Sequence, residues 1–234
     1  MTKVTIGIQA RSTSHRLPNK INQLIGNKTM LQHVMEACFN AAVYLNNWTS
    51  RKMFVDVAVL VPLGDPIVDR IAKEVAVIEG SENDVLSRYM KLSNSDYVCR
   101  ITADCPLIPP FIISKIITLA VMNRYDYVSN VDERFRTTVD GWDCEVISQR
   151  ALAYLNEYAL LKEDREHVTT FLRRSPPPWL IQGASVNFLD LSDYPKLSVD
   201  TEEDLERVRL EYKKIETARS LAEKACGRKA VHRS

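Results

Sequence analysis

The chain has 234 residues, 45% hydrophobic and 26% charged, a balance that fits one large α/β domain or a domain with a smaller lobe. Its 31 basic and 30 acidic side chains leave a formal charge of +1, so no global field favours nucleic acid or a membrane, and any anion binding must be local. No apolar run approaches a bilayer span, and the five cysteines, without a C-x-x-C pair, read as reduced packing thiols of a cytoplasmic protein.

A first strand is predicted over Val4–Ile8, directly after Met1-Thr2-Lys3, which leaves no room for a signal peptide. A loop follows with Arg11, Arg16 and Lys20 among Ser12, Thr13, Ser14 and Asn19. Helix Met30–Leu45 has Leu31, Val34, Met35 and Cys38 on one face. Strand Asp56–Pro62, helix Asp65–Lys73, strand Val75–Ile78 and helix Glu82–Leu92 come next, the last with Ser81 as its cap. Strand Tyr97–Thr102 leads into Ala103-Asp104-Cys105-Pro106, and Pro109-Pro110 opens helix Phe111–Met122. This alternation predicts a parallel, doubly wound sheet over the first half, with Arg11, Ser81 and Asp104 converging on one edge.

The second half loses that rhythm. Strands are expected over Tyr125–Asn130, Cys144–Ile147 and Leu180–Phe188, with a short one at Lys196–Val199. Helices are expected over Gln149–Leu161, Arg165–Arg174 and Glu202 to about Leu221, and residues 227–234 as a disordered basic tail.

Cations and hydroxyls at the carboxyl end of a first strand are where open α/β sheets bind phosphates, although the spacing fits neither common phosphate loop, and a solvated basic loop is the plain alternative. Asp104 and Asp200 each follow a predicted strand. Two carboxylates from separate strand ends suit Mg²⁺, which fills its other positions with phosphate and water. Asp200 could equally be the cap of the last helix. Ser81, at a helix N-terminus, could hold a base or ribose, whereas Asp84 and Arg88, one turn apart, could merely pair. Asp140, Trp142, Asp143 and Glu145, with Arg165, Glu166 and His167, combine an aromatic face with charges that suit a sugar, or else form a surface loop and a capped helix. His15 reads as incidental; His33 and His232 have no ligand spacing.

The stretch QARSTSHRLPNK resembles the nucleotide loop Q-A-R-M-G-S-x-R-L-P-G-K of the spore-coat polysaccharide cytidylyltransferase family, relatives of CMP-Kdo and CMP-sialate synthetases. Gln9, Ala10, Arg11, Ser14, Arg16, Leu17, Pro18 and Lys20 match, while Thr13 and Asn19 replace two glycines. The resemblance continues through GSENDVLSRY, RITADCPLI, DYVSNV, REHVT and LSVDTEEDL. It implies a three-layer α/β fold with a mostly parallel central sheet, of the nucleotide-diphospho-sugar transferase type. Residues 1–225 would form one nucleotidyltransferase domain: a nucleotide half to 124, an acceptor half from 125 to 200, and a closing helix.

The resemblance further implies Mg²⁺ on Asp104 and Asp200. It implies nucleotide contacts from Gln9, Ala10, Arg11, Ser14, Arg16, Lys20, Ser81, Asp84 and Thr102, the last standing where some sugar-acid relatives have glutamine. Acceptor contacts would come from Asp140, Trp142 (a leucine in the family), Glu145, Arg165, Glu166 and His167. Arg11, Lys20 and Asp104 would carry the chemistry, with CTP and a sugar-type acceptor as partners in a homodimer. A glycosyltransferase of the same topology is the enzymatic alternative, and a non-catalytic nucleotide-binding module the other.

Overall fold

The computed structural model describes residues 1–14, 16–48, 53–184 and 190–231. The first strand, β1 (Thr2–Gln9), lies inside the sheet because Val4, Ile6 and Ile8 are wholly buried on one of its faces. A short hairpin, β2 (Leu24–Ile25) and β3 (Lys28–Thr29), turns at Gly26 and leads into α1 (Met30–Trp48). There follow β4 (Met53–Pro62), α2 (Val68–Ile71), β5 (Ala76–Gly80), α3 (Val85–Met90), β6 (Tyr97–Thr102) and α4 (Pro110–Asn123). The rest comprises β7 (Tyr127–Ser129), β8 (Glu145–Ser148), α5 (Gln149–Tyr158), α6 (Lys162–His167), α7 (Thr170–Arg174), β9 (Gln182–Ala184) and α8 (Glu202–Val231).

Among the described residues the main sheet has seven strands in the order β5-β4-β1-β6-β8-β7-β9. Only β8 runs against the others, because β7 and β9 again point the way of β6. The layers are those expected. Helices α1 and α4 pack Leu31, Val34, Ile113 and Ile117 on one face, and α3, α5 and α7 pack Leu86, Tyr89, Leu152 and Leu172 on the other. Each such side chain contributes about 1.5–3 kcal/mol when fully buried. A third cluster joins Leu205 and Val208 of α8 to Leu17, Ile25, Val139, Leu197 and Val199, which ties the last helix to the first loop. The four described cysteines, Cys38, Cys99, Cys105 and Cys144, are free and buried, and burial pushes the Cys38, Cys105 and Cys144 thiols well above their ordinary value. Among the described residues no helix is long and apolar enough to cross a membrane.

Several boundaries differ from expectation for visible reasons. Helix α2 keeps only four residues, since Asp65 accepts from the Ile67 N–H and from Ser12 rather than starting a helix. Helix α3 begins at Val85, capped by Asp84, whose carboxylate accepts from Ser87 N; Ser81 instead accepts from Asp84 N. The predicted helix Arg165–Arg174 breaks at Val168, where φ 59 and ψ −59 with a 2.6 Å bond from Thr169 N to His167 O make a γ-turn, the rare and strained form. No strand forms at Lys196–Val199; single bonds from Leu197 N to Asp140 O and Val199 N to Asp104 O hold that segment. Helix α8 runs past Leu221 to Val231, into the expected basic tail, through a stretch with no proline to stop it. Positions 185–188 of the predicted Leu180–Phe188 strand, His15 and His232 lie outside the described residues.

Candidate active site

The carboxyl ends of β1 and β6 open onto a cleft of about 370 Å³. Of the expected residues, Gln9, Ala10, Arg11, Ser14, Arg16, Lys20, Thr102, Asp104, Glu166, His167 and Asp200 line it. Arg88 and Arg100 join them from the floor.

The basic loop is braced rather than free. Ser12 donates from N (2.8 Å) and Oγ (2.5 Å) to the buried Asp65 carboxylate, Thr13 donates to Glu82 (2.9 Å), and Ser14 Oγ accepts from Leu17 N (3.3 Å). Asn19, where the resembled family has glycine, sits at φ 57, ψ 32, the left-handed region that asparagine tolerates better than most side chains. Thr13, the other replacement, keeps a negative φ. Neither lost glycine therefore prevents the loop from closing.

Lys20 is the node. Its Nζ donates to Asp104 Oδ2 (3.3 Å), Asp200 Oδ1 (3.4 Å) and Val199 O (2.8 Å). Asp200 also accepts from Arg16 (2.9 Å) and Lys196 (2.9 Å). Burial alone would raise the Asp200 pKa, but the Lys196 hydrogen bond and the charges of Lys20, Lys196 and Arg16 outweigh it and hold the group below its ordinary value. Asp200 is not the cap of α8. Thr201 Oγ1 accepts from Asp204 N (3.3 Å), and Asp204 reaches back to the N–H groups of Thr201 (3.1 Å) and Asp200 (2.9 Å), a reciprocal capping box. The Asp200 carboxylate is thereby left for the cleft.

Val199 N donates to Asp104 O (2.9 Å), and the segment that leads to Asp200 packs against Gly141. There φ is 108, and a Cβ would lie 2.4 Å from Leu197 C and Ser198 N, so only glycine lets segments 140–143 and 197–199 touch. Among the described residues no group of three His, Cys, Asp or Glu side chains could hold a metal. Two hard carboxylates with a cation already seated between them do fit Mg²⁺, provided phosphate and water complete the sphere.

Arg88 is buried, donating to Leu60 O (3.0 Å) and Ala10 O (3.4 Å), so it does not pair with Asp84. Burial, the largest cause, lowers its pKa. Arg100 is fixed by Glu145 (2.7 Å), whose other oxygen accepts from Tyr127, Thr169 (2.7 Å) and Arg173 (2.9 Å). Burial would depress the Arg100 pKa, but the Glu145 carboxylate beside it holds it above the ordinary value.

Several expected contacts lie elsewhere. Glu145 is 1% exposed with both oxygens occupied, so it orients Arg100 instead of meeting an acceptor. Asp84 and Arg165 pair bidentately (2.9 and 2.7 Å), which joins α3 to α6 outside the cleft. Ser81 also lies outside it. Asp140 accepts from Ser198 (2.9 Å), and Asp143 from Arg136 (2.6 Å). Trp142 faces Phe111 edge-on and lines a separate cavity between α1 and α8. There His33 donates from Nε2 to Ile25 O (2.8 Å) and meets Tyr212 edge-on, a structural role. Glu166 and His167 reach the cleft because the γ-turn at Val168 ends α6 there. Sequence reasoning passed over Asp65, Arg100 and Lys196. An aspartate beside proline read as a helix start, Arg100 inside a strand drew no reading of its own, and nothing local linked Lys196 to Asp200.

A mostly parallel sheet whose strand ends carry a cationic loop facing two carboxylates defines a nucleotidyltransferase. Residues 5–220 match the family model described as "Cytidylyltransferase", and the chain belongs to that family. It is similar to a cytidylyltransferase structure from Leptospira borgpetersenii, with 30% identity and a TM-score of 0.76, covering 89% of this chain and 86% of that one. Among curated relatives, an uncharacterized protein of Methanocaldococcus jannaschii is 30% identical over 84% of this chain and 78% of its own length. The spore coat polysaccharide biosynthesis protein SpsF of Bacillus subtilis is 26% identical over 92% of this chain and 88% of its own length.

Proposed function

We propose that the protein transfers the cytidylyl group of CTP to an acidic sugar or a sugar phosphate, releasing pyrophosphate, as a step toward a surface polysaccharide or glycan. The observation that carries this reading is the meeting of Arg11, Arg16 and Lys20 with Asp104 and Asp200 in one cleft of a cytidylyltransferase-family chain. The likeness to SpsF, named for spore coat polysaccharide biosynthesis, supports a glycan-type acceptor.

In this reading an acceptor oxygen attacks the α-phosphorus in line with the departing pyrophosphate. The new O–P bond forms as the α–β bridge breaks, pyrophosphate leaves with the electron pair, and an acceptor that attacks through a hydroxyl releases its proton to solvent. No covalent enzyme intermediate is needed, because positioning and charge neutralisation suffice. Arg11, Arg16 and Lys20 stabilise charge on the β- and γ-phosphates. Gln9, Ala10 and Thr102 border the nucleotide, and Arg88 and Arg100 add fixed positive charge beneath it. Glu166 and His167 face the acceptor. Asp104 and Asp200 would hold Mg²⁺, which when bound supplies positive charge at the reacting phosphate.

The experiment is pyrophosphate release with each of the four NTPs against a panel of sugar acids and sugar phosphates. CTP with at least one such acceptor should support turnover. Turnover with another NTP at equal or better kcat/KM would remove the cytidylyl assignment, and turnover with none of the acceptors would remove the acceptor class.

A further inference from the structure

The Lys20 ammonium sits where three oxygens converge: Asp104 Oδ2 at 3.3 Å, Asp200 Oδ1 at 3.4 Å and Val199 O at 2.8 Å. Its side chain is 15% exposed, so water screens these contacts only partly. Two carboxylates and a carbonyl are hard oxygen donors of the kind that bind a divalent cation. A divalent cation at these three oxygens would compete with the ammonium for their lone pairs and be repelled by its charge. Without a cation between them, two carboxylates held this close would repel in turn. The arrangement is therefore complete without metal.

Resting on the reading that Asp104 and Asp200 are the metal ligands, we propose that Lys20 gates the metal site. In the nucleotide-free protein it fills the site, and an arriving triphosphate draws it away so that the divalent cation can enter. The lysine stem is flexible and its three donors are easily redirected, which suits a group that must change partners. A triphosphate offers Lys20 and Arg16 new anionic partners. Lys196 stays on the far oxygen of Asp200, 2.9 Å away, and keeps that carboxylate oriented. Metal and nucleotide are then thermodynamically coupled, each raising the affinity for the other by one common factor.

The test uses Mn²⁺ alone as the probe, read by its electron paramagnetic resonance signal, on nucleotide-free protein. Wild type is compared with Lys20→Met and Lys20→Gln, and with each of these combined with Asp104→Asn. Circular dichroism verifies the folds, the second neutral variant standing in should the first not fold. Removing one charge-assisted competitor should tighten Mn²⁺ binding about ten- to a hundredfold in the Lys20 variants, and Asp104→Asn should abolish the gain. Equal Mn²⁺ affinity in wild type and Lys20 variants, lost with Asp104→Asn, would overturn the gate while leaving the metal site standing. A gain that survives Asp104→Asn, or no Mn²⁺ binding by either Lys20 variant, would also overturn it. The metal reading itself is judged separately, by the turnover of Asp200→Asn described next.

Discussion

Asp200→Asn tests the proposed metal role apart from capping, because Thr201 and Asp204 cap α8 while the Asp200 carboxylate faces the cleft. The substitution keeps the size of the side chain and the backbone N–H that donates to Asp204, so the box formed by Thr201 and Asp204 survives. It removes the charge facing Arg16, Lys20 and Lys196. These pairs border an open cleft, and partly exposed pairs contribute little, so the stability loss should stay within about 1 kcal/mol. For a chain of this size that is a fall in Tm of roughly 2–4 °C. Turnover should fall far more. Removing one preorganised charge-stabilising group costs on the order of a hundred- to a thousandfold in kcat, and a metal ligand should do no less. Thr201→Ala provides the mirror image, with about 1 kcal/mol lost from the cap and kcat within about twofold of wild type. The assays are pyrophosphate release with CTP and the acceptor found by the panel, and thermal denaturation of each variant. An Asp200→Asn enzyme with ordinary turnover and ordinary Mg²⁺ dependence would refute the ligand role.

Gly141→Ala should lower both stability and kcat, since the new Cβ would overlap Leu197 and Ser198 backbone and push Asp200 from Asp104; unchanged kcat in a folded variant would show that this contact does not set the site. Asp65→Ala removes the acceptor for Ser12 N, Ser12 Oγ and Ile67 N, so the loop should loosen and KM for CTP rise about tenfold with a smaller change in kcat, measured by steady-state kinetics; an unaltered KM would mean the loop holds itself. Asp204 has its pKa lowered to about 2: burial would raise it, but bonds from Asp200 N, Arg207 and Thr201 N prevail. Because the folded-state value is the depressed one, this stabilisation is complete above the unfolded value near 3.9 and is lost as pH falls from there toward about 2. Acid-unfolding curves of wild type should show that loss, and Asp204→Asn should flatten them over that window.

Local sequence settled much of the frame. The apolar run of β1, the amphipathic face of α1, the match of Tyr97–Thr102 with β6 and the proline entry to α4 follow from side-chain periodicity and caps, which act between near neighbours. The cationic loop was legible for the same reason, being one contiguous stretch. What the tertiary structure decided is who faces whom. Trp142 and Glu145 are three residues apart, yet one lines a cavity under α8 and the other is locked beneath Arg100 and Arg173. Asp84 meets Arg165, 81 positions away, rather than Arg88 one turn on, because Arg88 turns inward to strand carbonyls. Lys20 meets Asp200 across 180 positions, beside a segment whose Leu197 and Ser198 pack on Gly141, and no local pattern encodes either contact. Periodicity reports which side of an element is apolar, whereas the partner of a charge depends on chain crossings that only the assembled sheet fixes.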